Sequence, residues 1–413
     1  MAASAARKTG ALAGLLPLAG ALKVNSGCGL ESLTFEGFVQ KYERQYAPGS
    51  EEYLQRKDLF ESRSVDINSH NCEDQPWKAQ LNHFADWTED ELQGLRGYKK
   101  AYSHSPTQMG STATAELHSE DMSKGLETDT FTWGHLDAIL KATDQQSCGS
   151  CWAYAATAAL NAHAEINNNT QRYSVAQIVA CTPNPQECGG SGGCEGATAE
   201  LAYEYALTKG LSLESDFPAR PGGAQAACPA DQRPPESLLS TGIASKAVVG
   251  PDGSEMHMLP DAMRGSLSMG MLGWTKLPEN KERPLVRALI EYGPLAVAVA
   301  AGADWNWYYH GILTPQGCDR NHVISHAVVL YGYGKAMSTK HGEVKYWHIK
   351  NSWGQNWGEG GMLRLQRLDK EDEECGWDNK PEVGSGCRGG PKKAWVCGSC
   401  GILYDAVMPM FRL

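Results

Sequence analysis

Basic residues are in short supply. Lys and Arg number 37 against 48 Asp and Glu in 413 residues, for a formal net charge of −11. Without a basic excess the chain has little with which to neutralise phosphates, which argues against a nucleic-acid partner or an anionic membrane surface. Long apolar runs are missing as well. No stretch reaches the roughly 18 consecutive apolar residues of a membrane-spanning helix, so no membrane anchor is expected. No segment repeats another, which removes solenoid and propeller architectures.

What is present is ordinary for a globular protein, 41% apolar and 21% charged residues, with length enough for two or three domains and a sizeable core. Thirteen cysteines suit an oxidising compartment, and the odd number leaves at least one thiol outside intramolecular pairing. The amino terminus fits that compartment. Arg7 and Lys8 precede the apolar run Ala11 to Leu22, and Ala19-Gly20-Ala21 offers a small-residue cleavage site. Residues 1–22 are therefore read as a secretory signal.

Residues 33 to 95 are charged with helical spacing, and Ser103 to Lys124 is polar and linker-like. The Ala-rich run from Ala153 to Ile166 contains no proline and follows Ser147, Gly149 and Ser150, which predicts a helix starting near Cys151. A shorter helix is predicted to end at Cys181, and another over Thr198 to Lys209, stopped by Gly210. Ala219 to about Gly270 is Pro/Gly-rich and without period, longer than ordinary connections. The pattern then turns to strands at Leu295 to Ala300, Ala327 to Tyr331, Tyr346 to Lys350 and Met362 to Gln366. Helices first and an antiparallel sheet second make an α+β chain of two halves.

The chemistry centres on Gln145-Gln146-Ser147-Cys148-Gly149-Ser150-Cys151-Trp152. A cysteine at a helix start meets unpaired N–H groups and the positive end of the dipole, which favour the nucleophilic thiolate. Cys-Gly-Ser-Cys-Trp matches the signature of papain-like cysteine proteases, and other segments resemble that family too. His326 opens His326-Ala327-Val328-Val329-Leu330-Tyr331-Gly332-Tyr333-Gly334, and Asn351 lies in Lys350-Asn351-Ser352-Trp353-Gly354. Glu52, Arg56, Phe60, Ile67 and Asn71, spaced by four, four, seven and four, resemble the interspersed prosegment motif of cathepsin-L-like members, with Arg63 where Asn is usual. Asn82-His83-Phe84-Ala85-Asp86 resembles a second prosegment motif.

The resemblance implies a two-lobed papain-like fold, with a helical left lobe, an antiparallel β-barrel-like right lobe and a small helical inhibitory prodomain. It implies a prosegment over 33–100 running backwards through the cleft, a processing region over 101–125, and a peptidase domain over 126–413 with insertions at about 219–270 and 369–397. Cys151 would be the nucleophile, His326 its acid/base partner and Asn351 the residue that orients the imidazole. Trp353 would shield that bond, and Gln145 would form the oxyanion hole with the Cys151 N–H. The reaction is peptide-bond hydrolysis through an acyl-enzyme, by an endopeptidase made as an autoinhibited zymogen. No metal or cofactor is called for, and a monomer is expected. The Cys151–His326 separation of 175 residues exceeds the roughly 130–150 usual for the family, a surplus the first insertion absorbs.

By the same resemblance Cys148 pairs with Cys194, Cys181 with Cys228, and Cys318 with Cys400. Cys188, Cys375, Cys387 and Cys397 are left with open connectivity, and Cys28 and Cys72 are available to pair in the prosegment. Gly196 would offer backbone partners to an extended peptide. Thr198, Ala298, Ile324 and Asp405 would line the pocket for the second residue before the scissile bond, with Asp405 at its base admitting Arg or Lys beside Leu or Phe. Asn168-Asn169-Thr170 is a glycosylation sequon.

Alternatives stand beside this reading. Cys148-Gly149-Ser150-Cys151 and Cys397-Gly398-Ser399-Cys400 are C-x-x-C pairs compatible with a dithiol or zinc site, although no βαβ pattern surrounds either. A catalytically silent homologue acting as a binding or inhibitory protein is another. The first insertion contains His257 but no His-His pair, which favours an endopeptidase over an exopeptidase. The expected compartment is the secretory pathway, and the resemblance implies a lysosome-like acidic organelle or the outside of the cell as its end.

Overall fold

The computed structural model describes residues 33–97, 129–233, 246–250, 252–258, 269–338, 342–370, 373–381 and 386–411. The signal segment, Cys28 and the linker expected at Ser103 to Lys124 lie outside the described residues.

The amino-terminal unit holds α1 (Phe35–Lys41), α2 (Glu51–Cys72), β1 (Trp77–Ala79) and α3 (Glu89–Gly94). Serine and threonine cap its helices: Thr34, Ser50 and Thr88 each accept a backbone N–H of the first turn, and Thr88 with Glu91 completes a capping box. The stripe on α2 is split by role. Phe60 packs with Phe35 and Phe38, whereas Ile67 joins the right-lobe core. The Asn71 side chain bonds the backbone of Ala79 on both sides. Arg56 donates to Glu91 and to the Asp86 carbonyl, and Arg63 donates to the carbonyls of Phe84 and Ala85.

After β2 (Phe131–Thr132) come α4 (Asp137–Leu140), α5 (Cys151–Ile166), α6 (Val175–Cys181) and α7 (Ala199–Lys209). Helix α5 is buried on nearly every side because small Ala side chains let neighbours approach closely. The Ser150 side chain does not cap α5, unlike the expectation from its residue type. Instead the Ala153 and Tyr154 N–H groups bond the Ser150 carbonyl. Gly210 ends α7 at φ 76°, a left-handed conformation that glycine adopts freely.

The remaining elements are β3 (Lys246–Val249), β4 (Glu255–Met258), β5 (Met271–Lys276), α8 (Glu282–Glu291), β6 (Leu295–Val299), β7 (Tyr308–Gly311), β8 (His326–Ser338), β9 (Gly342–Lys350), β10 (Met362–Gln366), β11 (Gly376–Asp378), β12 (Ala394–Val396) and β13 (Ala406–Phe411). The main sheet is antiparallel in the order β10-β9-β8-β6-β13-β5-β4-β3, with β2 added beside β8. The helical half and the antiparallel sheet are those the resemblance implies, and the strand path runs from β10 to β3 without closing into a barrel. The β3–β4 hairpin extends this sheet beyond β5. It lies inside the segment 219–270, whose lack of period gave no hint of strands.

Two cores flank the cleft, one around α5 and α7 and one around Trp305, Trp347, Trp353 and Trp357. Disulfides join Cys148 to Cys194, Cys181 to Cys228, Cys188 to Cys387, Cys318 to Cys400 and Cys375 to Cys397. Cys151 is the free cysteine among the described residues.

Candidate active site

Cys151 is the first residue of α5 and fully buried. Its thiol lies against the backbone N–H groups of Ala327, Trp152 and Cys151 itself, each of which favours the thiolate. Burial outweighs them and pushes the thiol up to about 12. In this covered state the N–H groups of the helix start do not outweigh burial, because a charge without water or a counter-ion is costly.

The cover is the prosegment. Gly97, at φ +64°, packs on the sulfur so closely that a Cβ there would sit 2.9 Å from Sγ and 2.8 Å from the Gly149 carbonyl. A Cβ on Gly196 would overlap the carbonyl oxygens of both Gly97 and Gly189. Gly196 thus faces the segment lying in the cleft.

His326 begins β8, and Asn351 follows the last residue of β9, so adjacent antiparallel strands bring the two together. His326 Nε2 lies 2.8 Å from Asn351 Oδ1. That oxygen can only accept, so Nε2 carries the hydrogen and Nδ1 of the neutral ring keeps its lone pair. Nδ1 is buried without a hydrogen-bond partner. Burial first, then repulsion by Arg96, pulls the imidazole down to about 3 despite the Asn351 bond. Burial thus works against the charged form of both nucleophile and base under the prosegment. Trp353 covers the imidazole at a ring separation of 4.8 Å, and prosegment Phe84 meets Trp353 edge-on at 5.8 Å.

Gln145 is held from three sides. Its N–H donates to the Ser352 carbonyl, its Oε1 accepts from Ser352 Oγ, and its Nε2 donates to the carbonyls of Leu95 at 2.6 Å and Cys148 at 2.9 Å. The amide is thus fixed in direction, with a prosegment carbonyl at its donor. Arg96, next in the chain, donates to Gly302 O and Asn306 Oδ1.

Thr198, Ala298 and Asp405 line one pocket, together with Ala199, Glu200 and Val407. Ile324 does not join them. It is turned inward, packed among Ala298, Ala300, Ala394 and Val396, because β12 covers the outer side of that wall. Sequence reasoning missed Lys276, whose ammonium stands 3.2 Å from Asp405 and 3.6 Å from Glu200. Burial and then the nearby Glu200 push Asp405 up to about 6 against the opposing Lys276. Burial works against the charge of Lys276, but Asp405, Glu200 and Glu279 hold its pKa well above the usual value. Lys276 follows the Pro/Gly-rich segment, and nothing in the sequence around it marked it as a partner of Asp405. Among the described residues no cluster of His, Cys, Asp and Glu has the geometry to hold a metal ion.

Comparison with known proteins places this geometry. Residues 128–385 match the model of the papain family cysteine protease, and residues 35–92 that of the cathepsin propeptide inhibitor domain. The chain is 29% identical over 351 residues to a senescence-specific cysteine protease of Arabidopsis thaliana, covering 82% of this chain and 86% of that protein. It is 28% identical over 343 residues to pro-cathepsin H of Bos taurus, covering 82% and 86%. Among solved structures, the recombinant stem bromelain precursor superposes with a TM-score of 0.62 at 23% identity, over 92% of this chain and 98% of that one. A match over more than half of the chain makes this chain a member of the papain family of cysteine proteases, preceded by a cathepsin-type propeptide inhibitor domain.

Proposed function

We propose that the protein is a cysteine endopeptidase made as a zymogen and acting on peptide and protein substrates. Cys151 attacks the peptide carbonyl once the prosegment leaves. Removing Gly97 readmits water and removing Arg96 takes away the cation that opposes an imidazolium, so the proton can pass from Sγ to His326. Protonated His326 then gives that proton to the departing amine, and neutral His326 activates the water that cleaves the thioester. Asn351 orients the ring throughout, and Trp353 keeps water from the His326–Asn351 bond. The Gln145 Nε2 and the Cys151 N–H receive the oxyanion. Chain and reagents need no metal or cofactor for these steps.

One observation carries the reading: the Leu95 carbonyl rests on the Gln145 amide while Gly97 rests on the sulfur. The prosegment therefore occupies the donors and the nucleophile together, as expected of an intramolecular inhibitor. Gly196 is read as a backbone partner for substrate, and the pocket of Thr198, Ala298 and Asp405 as the site for the second residue before the scissile bond. The disulfides support passage through the secretory pathway, to an acidic organelle or the outside. No described helix is long and apolar enough to cross a membrane.

The test is mass mapping of an epoxysuccinyl thiol reagent on acid-treated protein, with a fluorogenic dipeptide assay on the same sample. Labelling of Cys151 only after processing, with hydrolysis lost in His326→Ala, is expected. Peptide hydrolysis that survives Cys151→Ala would overturn the reading.

A further inference from the structure

The 369–397 insertion is more than surface decoration. Its β11–β12 hairpin is fastened to the right lobe by the Cys375–Cys397 disulfide, by Asp378 accepting the Ile324 N–H, and by Asn280, which bonds both Trp395 O and Cys397 N. Ala394 and Val396 of that hairpin pack against Ala298, a wall of the substrate pocket. From Ala394 the chain runs back through Lys393 to Cys387, and Cys387 is bonded to Cys188 on the opposite lobe.

That second anchor is multiple. Gly189 N–H donates to Gly386 O, Arg388 N–H donates to Gln186 O, and the Arg388 guanidinium pairs with Glu187. The anchor also lies at the cleft. The Gly189 and Gly97 carbonyls both press on the same face of Gly196, and Gly97 covers the Cys151 sulfur. Contacts thus run in order from sulfur to Gly97, Gly196, Gly189 and the Cys188–Cys387 bridge.

We propose that residues 386–393 form a disulfide-anchored strap across the cleft beyond the pocket of Thr198 and Asp405, and that this strap limits how far a substrate extends on the amino-terminal side of the scissile bond. The proposal rests on the protease reading above. A peptide lying in the cleft fills the space beside Cys151 and the pocket, and its next residues then meet an arm held at both ends. The substrates best matched are protein segments flexible enough to turn away two or three residues before the scissile bond. A covalent bridge suits that task, because a strap held by surface ion pairs alone would open readily.

The experiment uses acid-processed, active-site-titrated enzyme and acyl peptides with two, three, four and five residues before a fluorogenic amide, the two nearest residues held constant. In the parent enzyme kcat/KM is expected to fall by about tenfold or more between the two- and five-residue peptides. In Cys188→Ser/Cys387→Ser the series is expected to flatten, with the two-residue peptide hydrolysed as before. If the double variant does not fold, insertion of two glycines after Gly389 gives the same readout with the bridge intact. A flat or rising series in the parent enzyme overturns the strap, and so does an equal fall in parent and opened variants. Failure to hydrolyse even the two-residue peptide would instead overturn the protease reading.

Discussion

The Leu95 carbonyl accepts a 2.6 Å hydrogen bond from the Gln145 side-chain amide, in the place proposed for the reacting oxygen of a substrate. One donor therefore serves the dormant and the working protein. Gln145→Ala in the processed enzyme is expected to lower kcat by about 10²–10³-fold with little change in KM. Steady-state kinetics at saturating dipeptide substrate measure it, and an unchanged kcat rules out the role.

Gly97 should matter for a steric reason. Its φ of +64° and its contacts with Sγ and the Gly149 carbonyl leave no room for a side chain. Gly97→Ala is expected to weaken prosegment docking by at least about 1–2 kcal/mol from backbone strain alone. Zymogen autoprocessing should then run about 5- to 30-fold faster at a fixed mildly acidic pH, as read from the loss of full-length protein on gels.

His83 gives the prosegment a sensitivity to acid. Burial first, then repulsion by Arg44, pulls its imidazole down to about 4, against about 6.5 in an undocked chain. The docked state binds the proton less well than the undocked state. The contribution to docking is therefore full above about 6.5 and lost as pH falls toward about 4. His83→Gln removes that loss, and the midpoint of acid activation is expected to move down by about half a unit or more. A midpoint that stays put would assign the trigger to carboxylates such as Glu91, whose burial is outweighed by its bonds to Arg56 and Thr88, holding it below the usual range.

Lys276 changes what the pocket floor offers. As pH rises through about 6 Asp405 ionises, so the cluster it forms with Lys276, Glu200 and Glu279 gains one negative charge. Cleavage after Arg-Arg relative to Leu-Arg is expected to rise as pH increases through about 6. Lys276→Met should raise that ratio about tenfold near neutrality, since one unpaired charge at this range is worth about 1.4 kcal/mol or more. Asp405→Ala should lower it. Ratios that match the parent enzyme in both variants would show that the floor does not read charge.

The site residues were legible because each sits in a short motif at the start or end of an element. Cys151 opens α5, His326 opens β8 and Asn351 closes the β9 turn, so backbone geometry carries most of the placement. Lys276 was invisible for the opposite reason. It stands on a strand whose neighbours in sequence show no period, and its partners, Glu200 and Asp405, arrive from α7 and the last strand. The Cys188–Cys387 bridge could not be read either, since counting cysteines bounds their pairing without choosing it. At Cys151 the sequence shows the helix start but not how closely Gly97 covers the sulfur.

The prosegment does more than plug the cleft: β1 pairs with β7, Trp77 opposite Gly311 and Ala79 opposite Tyr308. Proteolytic removal of that ribbon strips Tyr308–Gly311 of its neighbour and leaves peptide groups facing solvent along a rim that includes the exposed Tyr309. Maturation therefore creates a sticky ledge that the newborn precursor never displays, and the ripened enzyme is the form in which self-association through that rim is to be sought.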